Sequence, residues 1–256
     1  MKQSQAKKRD NAMTNKILMG LIALVLGLLF LEILIVHSKN EQQKNASNQV
    51  QTARIMANGD LLYHDGLYMS ALQSDGRYDF TENFTYVKPW LKQADLVLGD
   101  FEGTINPDYP LSGYPLFNAP QSVTAAIKDA GYDVMDLAHN HILDSGLEGA
   151  FTTADAFKKV GIDSIGVYEK PVRDKAPLLI KNVNGIKVAI LSYAYGYNGL
   201  ESNLTDKEVA DHLSNLDEKR MKSEIQRAEK EADITVIMPQ MGVEYRLEPT
   251  DEQVKL

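Results

Sequence analysis

Four short stretches set carboxylates, amides and imidazoles directly behind apolar runs. Ala53–Ala57 is followed by Asn58-Gly59-Asp60, and Leu96–Leu98 runs into Gly99-Asp100-Phe101-Glu102-Gly103. Val134–Ala138 ends in His139-Asn140-His141 with Asp144 close behind, and Ile234–Met238 leads to Gln240, Gly242 and Glu244. In an α/β sheet, ligands bind beyond the carboxyl ends of the strands, which is where these polar groups fall. Oxygen donors joined by an imidazole suit hard or borderline divalent cations such as Mn²⁺, Mg²⁺ or Zn²⁺. The chain has no Cys, which excludes thiolate ligands, disulfides and cysteine nucleophiles. It also lacks a Gly-x-x-x-x-Gly-Lys-Ser/Thr phosphate loop, a Gly-x-Ser-x-Gly elbow and a His-Glu-x-x-His pair.

Each of these groups has a plainer reading. Gly-Asp behind a strand is ordinary turn chemistry, which accounts for Asp60 or Asp100 taken singly. Glu102 reads equally as a solvated loop carboxylate, and Asp144 with Gly146 as the cap of a following helix. His64 and His212 read as loop histidines, and Tyr193, Tyr195 and Tyr197 as the edge of a core. Two histidines flanking an Asn straight after a buried strand resist such explanations, and the functional expectation centres there.

The elements that must position these residues follow from periodicity. Further apolar runs at Ile165–Val167, Leu178–Ile180 and Val188–Leu191 predict strands. Helical spacing predicts helices over Glu82–Gln93, Ser122–Ala130, Leu147–Val160 and Leu216–Glu231, with Ser122 as an N-cap and Gly131 and Gly161 as stops. Asn184-Gly185 between two apolar runs predicts a hairpin, so the sheet is expected to be mixed and the class α/β. "EPTDEQVKL" reads as a helix start with Thr250 as N-cap, and suggests a domain shortened at its carboxyl end.

Before this domain, residues 1–16 form a basic tail and Ile17–Val36 an apolar stretch of twenty residues whose single charge is Glu32. At 1.5 Å per residue the stretch reaches roughly 30 Å, the thickness of a bilayer's hydrocarbon. An uncleaved transmembrane anchor is the expectation, and a cleaved signal peptide the alternative. Lys2, Lys7, Lys8, Arg9 and Lys16 favour a cytoplasmic amino terminus. Residues 37–51 are polar and read as a flexible linker, leaving 52–256 as an extracytoplasmic α/β domain at the cell membrane. Residues 1–36 carry five basic and two acidic side chains, net +3, so the formal charge of −8 becomes −11 beyond them. Such a domain is a poor nucleic-acid binder.

"NGDLLYHDG", "GDFEGTI", "YPLFNAP", "GYDVMDLAHNHILDSG" and "MGVEY" occur in the order found in the bacterial capsule-synthesis CapA family, also called the poly-γ-glutamate biosynthesis accessory family. The resemblance spans Ala53 to Tyr245. That family resembles the calcineurin-like metallophosphoesterases, which implies two mixed sheets packed between helices and a divalent-metal site. The resemblance implies Asp60, Asp100, Glu102, Asn140 and His141 as metal ligands, with His141 also the proton donor to a leaving group. Two departures stand out. The phosphoesterase Asp-x-His reads Asp60-Leu61-Leu62 here, and the family's His-Trp-Gly-x-Glu-Tyr reads Gln240-Met241-Gly242-Val243-Glu244-Tyr245. No Gly-His-x-Pro-His element occurs within these residues.

The resemblance implies an anchored accessory protein for synthesis, export or retention of a capsule or poly-γ-glutamate. Its expected partners are the membrane, an anionic extracellular polymer and integral-membrane synthase subunits. The alternative is a metal-dependent hydrolase or transferase acting on a phosphate ester or amide of the envelope. A third reading takes the chain as a shortened, inactive product.

Overall fold

The computed structural model describes residues 28, 30–39, 50–172 and 175–256. The chain divides into two units, residues 1–50 and 51–256. In the first unit, residues 30–39 are helical, and Phe30, Leu31, Ile33, Leu34, Ile35 and Val36 are all exposed. The predicted basic tail, the span from Ile17 to Gly27 together with Leu29, and linker positions 40–49 lie outside the described residues. Among the described residues no helix is long and apolar enough to cross a membrane.

The second unit is built on two sheets. β1 (Ile55–Asp60), β2 (Leu96–Asp100), β3 (Val134–Asp136) and β4 (Asp163–Ile165) pair in that order, every pair parallel. β5 (Leu179–Val183), β6 (Ile186–Ala194) and β7 (Ile234–Gln240) form the second, with β5–β6 antiparallel and β6–β7 parallel. The predicted hairpin is present: Val183 pairs with Ile186, and Asn184 and Gly185 both take positive φ (53° and 89°), as a two-residue turn requires. Only the second sheet is mixed; the first is purely parallel.

Alternation along the strands sorts the core into layers. Leu96, Leu98, Val134 and Ile165 of the first sheet meet Val183, Val188 and Ile190 of the second. The opposite faces of β2 and β3, with Val97 and Met135, pack on the helices Ser122–Ala130 and Gly146–Lys159. On the far side of the second sheet, Ala189, Leu191 and Tyr193 cover Met221 and Ala228 of the helix Glu218–Glu231. Two sheets therefore lie between two helical layers, with the candidate residues at the carboxyl ends of four strands.

Several predicted details are corrected. The helix expected over Glu82–Gln93 is a 3₁₀ turn, Thr81–Phe84, and a short helix, Lys88–Leu91, because Pro89 cannot supply an N–H inside a continuous helix. The N-cap of the helix Ser122–Ala130 is Gln121, not Ser122, and it makes no capping bond; Gly131 ends the helix in the left-handed region as expected. Helices at Asp65–Ala71 and Asp206–His212 were not predicted; each spans only seven residues, too short for a periodic pattern. Thr250 caps the helix Asp251–Lys255 through a reciprocal bond pair with Gln253.

One loop is tied down by a single buried side chain. Asn118 Oδ1 accepts from Asn106 N–H (2.8 Å), and its Nδ2 donates to the carbonyls of Asn106, Tyr109 and Pro110 at 3.0–3.1 Å. Asn118→Ala strands these partners and should cost about 2 kcal/mol, read as a lower denaturation midpoint at unchanged slope.

Candidate functional site

The strands deliver their polar ends in register. Leu61 N–H donates to Asp100 O, Phe101 N–H to Asp136 O and Leu137 N–H to Ile165 O, lacing the carboxyl edge together. The β1–β2 register shifts between Ala57 and Asp60, so one extra residue at Asn58-Gly59 re-aims Asp60. Asp60 is exposed at the rim, whereas Asp100, Glu102, Asn140 and His141 are buried.

Four carboxyls crowd one another here. Burial pushes Asp100 up to about 9, reinforced by the charges of Asp136, Asp60 and Glu102. Burial also raises Glu102 to about 7, helped by a carboxyl–carboxyl hydrogen bond with Asp60. Asp136 is fully buried and rises to about 7 by desolvation, although Ser192 Oγ–H and Ala138 N–H both donate to it. The Ser192–Asp136 bond joins β6 to β3 across the layer between the sheets.

The two histidines have separate duties. His139 is fully buried, its Nδ1 accepts from His141 N–H at 3.2 Å, and burial drives it down to about 3, so it is a neutral prop beneath the loop. The His141 ring lies edge-on to Phe117 with centroids 4.7 Å apart. Its Nδ1 sits 2.8 Å from Asp144 Oδ2, and its Nε2 faces Glu102 Oε1 at 3.8 Å. Burial pulls His141 down, but the hydrogen bond and charge of Asp144, with Glu102 and Glu244, more than offset it and the net shift is upward. Asp144 is therefore not the cap expected of it. The N-cap is Ser145, and Asp144 instead orients His141 while accepting Phe117 N–H at 2.6 Å.

Asn140 is held from two sides. Its N–H donates to Gln240 Oε1 (2.7 Å), and its Oδ1 accepts from Gln240 Nε2 (2.9 Å). Its Nδ2 donates to Asn198 Oδ1 (3.1 Å), and Asn198 Nδ2 lies 3.5 Å from both His141 nitrogens. Asn198 takes a left-handed φ of 54°. The structure thus brings together Asp60, Asp100, Glu102, Asn140 and His141, together with Gln240 and the charge of Glu244.

The carboxyls gather negative charge at this edge. Asp100 Oδ1 is buried without a hydrogen-bond partner, beside carboxyls whose mutual repulsion a positive ion would relieve. A two-metal centre does not fit: Asn140 Oδ1 is bonded to Gln240 and His141 Nδ1 to Asp144. Among the described residues no group of three or more His, Cys, Asp or Glu is drawn into a metal-holding arrangement.

Residues 54–256 match the family described as "Bacterial capsule synthesis protein PGA_cap". The chain belongs to this family. Among PGA_cap relatives, it is 30% identical to the capsule biosynthesis protein CapA of Bacillus anthracis over 189 residues, covering 70% of this chain and 45% of that protein. It is 26% identical to the PGA biosynthesis protein CapA of Bacillus subtilis over 252 residues, covering 97% and 64%. The chain thus spans about half to two thirds of these relatives' lengths. A structure described as a candidate 5′-nucleotidase from Staphylococcus aureus aligns at TM-score 0.47 and 14% identity, over 77% of this chain and 39% of that one.

In this PGA_cap chain, Asp136 and Asn198 escaped sequence reasoning. Asp136 stands two residues after the inward-facing Val134, and an acid on the buried face of a strand was a usable signal. For Asn198 the only hint was the turn-prone Asn198-Gly199 pair.

Proposed function

We propose that the protein is a membrane-anchored, extracytoplasmic accessory factor in the synthesis, export or retention of a capsule or poly-γ-glutamate. The family match over residues 54–256 carries this reading. The apolar residues 17–36 supply the anchor, and the exposed apolar side chains of residues 30–36 support it. Integral-membrane synthase subunits are the expected neighbours.

The domain is acidic and so is the polymer, so contact needs a positive intermediary. Asp60, Asp100 and Glu102 would hold one Mn²⁺, Mg²⁺ or Zn²⁺, which when bound supplies charge for an anionic group of the polymer. Phe117 shields His141 from water on one side, and Asp144 fixes the ring so that its Nε2 faces the carboxyls.

That oriented imidazole favours a second reading, a hydrolase in which His141 gives its proton to a leaving group. Metal content decides between them. The purified protein is assayed for bound Mn, Zn and Fe and for phosphodiesterase turnover, beside Asp100→Ala and His141→Ala. In the first reading, turnover is absent and Asp100→Ala abolishes polymer at the cell surface. Turnover lost in both variants would establish the hydrolase. Normal polymer in cells lacking the gene would overturn the accessory role.

A further inference from the structure

Tyr86, Val87 and Trp90 are 89%, 46% and 65% exposed. Tryptophan is seldom left this open to water, because its ring carries one of the largest apolar surfaces of any side chain. These three residues also sit on a fastened base. Trp90 N–H donates to Val87 O at 2.9 Å, Phe84 is buried beneath them edge-on to Tyr132, and Lys88 is paired with Asp129.

Arg54 fixes where this base lies. Its N–H donates to Asp95 Oδ2 (2.8 Å), its carbonyl accepts Asp95 N–H (2.8 Å), and its guanidinium donates to Gln93 O (3.2 Å). Arg54 directly precedes β1 and Asp95 directly precedes β2, so the rings stand at the amino edge of the parallel sheet. Asp100 and His141 stand at the carboxyl edge, and the length of β2 puts ~17 Å between the two at ~3.3 Å per residue.

The chain enters the domain at this same amino edge, where Thr52 O accepts from Asn184 Nδ2 at 3.0 Å. In the anchored reading, residues 37–51 tether this edge to a bilayer, and a polar coil of roughly 15 residues spans on the order of 20 Å. Lipid is then the surface that the rings meet at the highest effective concentration. Their chemistry matches it: Trp and Tyr prefer the boundary between headgroups and acyl chains, and Lys88 and exposed Lys92 suit headgroup phosphates.

We infer that Tyr86, Val87 and Trp90 form a membrane-docking face whose partner is the headgroup–acyl boundary of the bilayer, and that docking turns the candidate site away from the membrane. This rests on the anchored reading proposed above.

Trp90 is the chain's single tryptophan, so its fluorescence reads this face alone. The full chain is reconstituted with phosphatidylcholine vesicles, with and without brominated acyl chains, and its co-flotation is recorded in the same samples. Emission should shift to shorter wavelength and be quenched by the brominated lipid. Both effects should be lost in the double variant Tyr86→Glu, Val87→Ser, which keeps Trp90 and should keep the wild-type urea midpoint because the replaced side chains are exposed. Quenching unchanged in that variant would overturn the assignment of the face. Co-flotation with Trp90 unquenched would overturn docking and leave the anchor standing; a protein partner over the rings, or a domain resting on the edge where Tyr114 flanks Phe117, would give that result. Failure to float with unquenched emission would overturn anchor and docking together.

Discussion

Asp100→Asn should raise the melting temperature of the metal-free protein at pH 8 by about 4–8 °C. The carboxyl is buried, has an oxygen with no hydrogen-bond partner, and is surrounded by Asp136, Asp60 and Glu102, which together lift it to about 9. An acid whose pKa is higher folded than unfolded binds its proton more tightly in the native state. The stability it contributes is whole below its unfolded value near ~4 and drains away as pH climbs toward the folded value. Glu102 and Asp136, both at about 7, slope the same way. Buried, neutral His139 slopes oppositely: its contribution is whole above about 6.5 and is lost as pH falls toward about 3. On these groups the wild type should be most stable at about pH 4, where the His139 gain meets the carboxyl losses, and the variant should decline less steeply above it.

Full transfer of the Asp100 shift would give ~1.4 kcal/mol per pH unit, but the crowded carboxyls share protons, so about 2 kcal/mol is the expected gain. At ~2–4 °C per kcal/mol for a domain of this size, that yields the stated rise. Thermal scans from pH 4 to 9 check it, and the difference between the two proteins removes the His139 contribution. Mn²⁺ should stabilise the wild type and leave the variant nearly unmoved. A variant that melts lower than the wild type at pH 8 would mean that Asp100 is well solvated or already paired.

Gly166→Ala should destabilise the domain by about 3 kcal/mol or more, among the larger effects of a single small substitution. Gly166 follows β4 with φ of 96°, a conformation that side chains rarely adopt. An added Cβ would lie 2.5 Å from Ala138 N and 2.8 Å from Ala138 Cβ. Neither neighbour can yield cheaply, because Ala138 N–H is bonded to Asp136 Oδ1, and Gly166 O accepts Ser214 N–H. Ala138 directly precedes His139-Asn140-His141, so relief of the clash must displace the candidate site. Urea unfolding checks the stability, and Mn²⁺ uptake should fall with it. A midpoint within experimental error of the wild type would show that this backbone is far more compliant than its packing implies.

Gly166 also shows where the sequence stopped being legible. The apolar run Ile165–Val167 predicts a strand, yet β4 is Asp163–Ile165 and the glycine bends the chain beside the site. Val188–Leu191 falls inside a real strand because burial on both faces leaves a pattern that needs no context, and Ile234–Met238 falls inside β7 although that strand is only half-buried. The helix Ser122–Ala130 came out with its bounds intact because Gly131 stops it and its apolar spacing is clean. Pro89 was visible but was not used to break the helix beside it.

Within the site, strand-end position identified Asp60, Asp100, Glu102, Asn140 and His141 as residues that would meet. It said nothing of what each would touch. The division of labour between His139 and His141 depends on which side chain points under the loop. The pairing of Asn140 with Gln240 depends on how the two sheets are stacked. Neither is written in local spacing.

Asn140 and Gln240 are 100 residues apart, and they meet only where one sheet reaches over to the other. A chain delivered from its amino end will have Asp60, Asp100 and His141 available long before β7 arrives to fasten them. Fastening the pocket therefore depends on a contact of high sequence separation, the kind whose loop-closure cost slows folding.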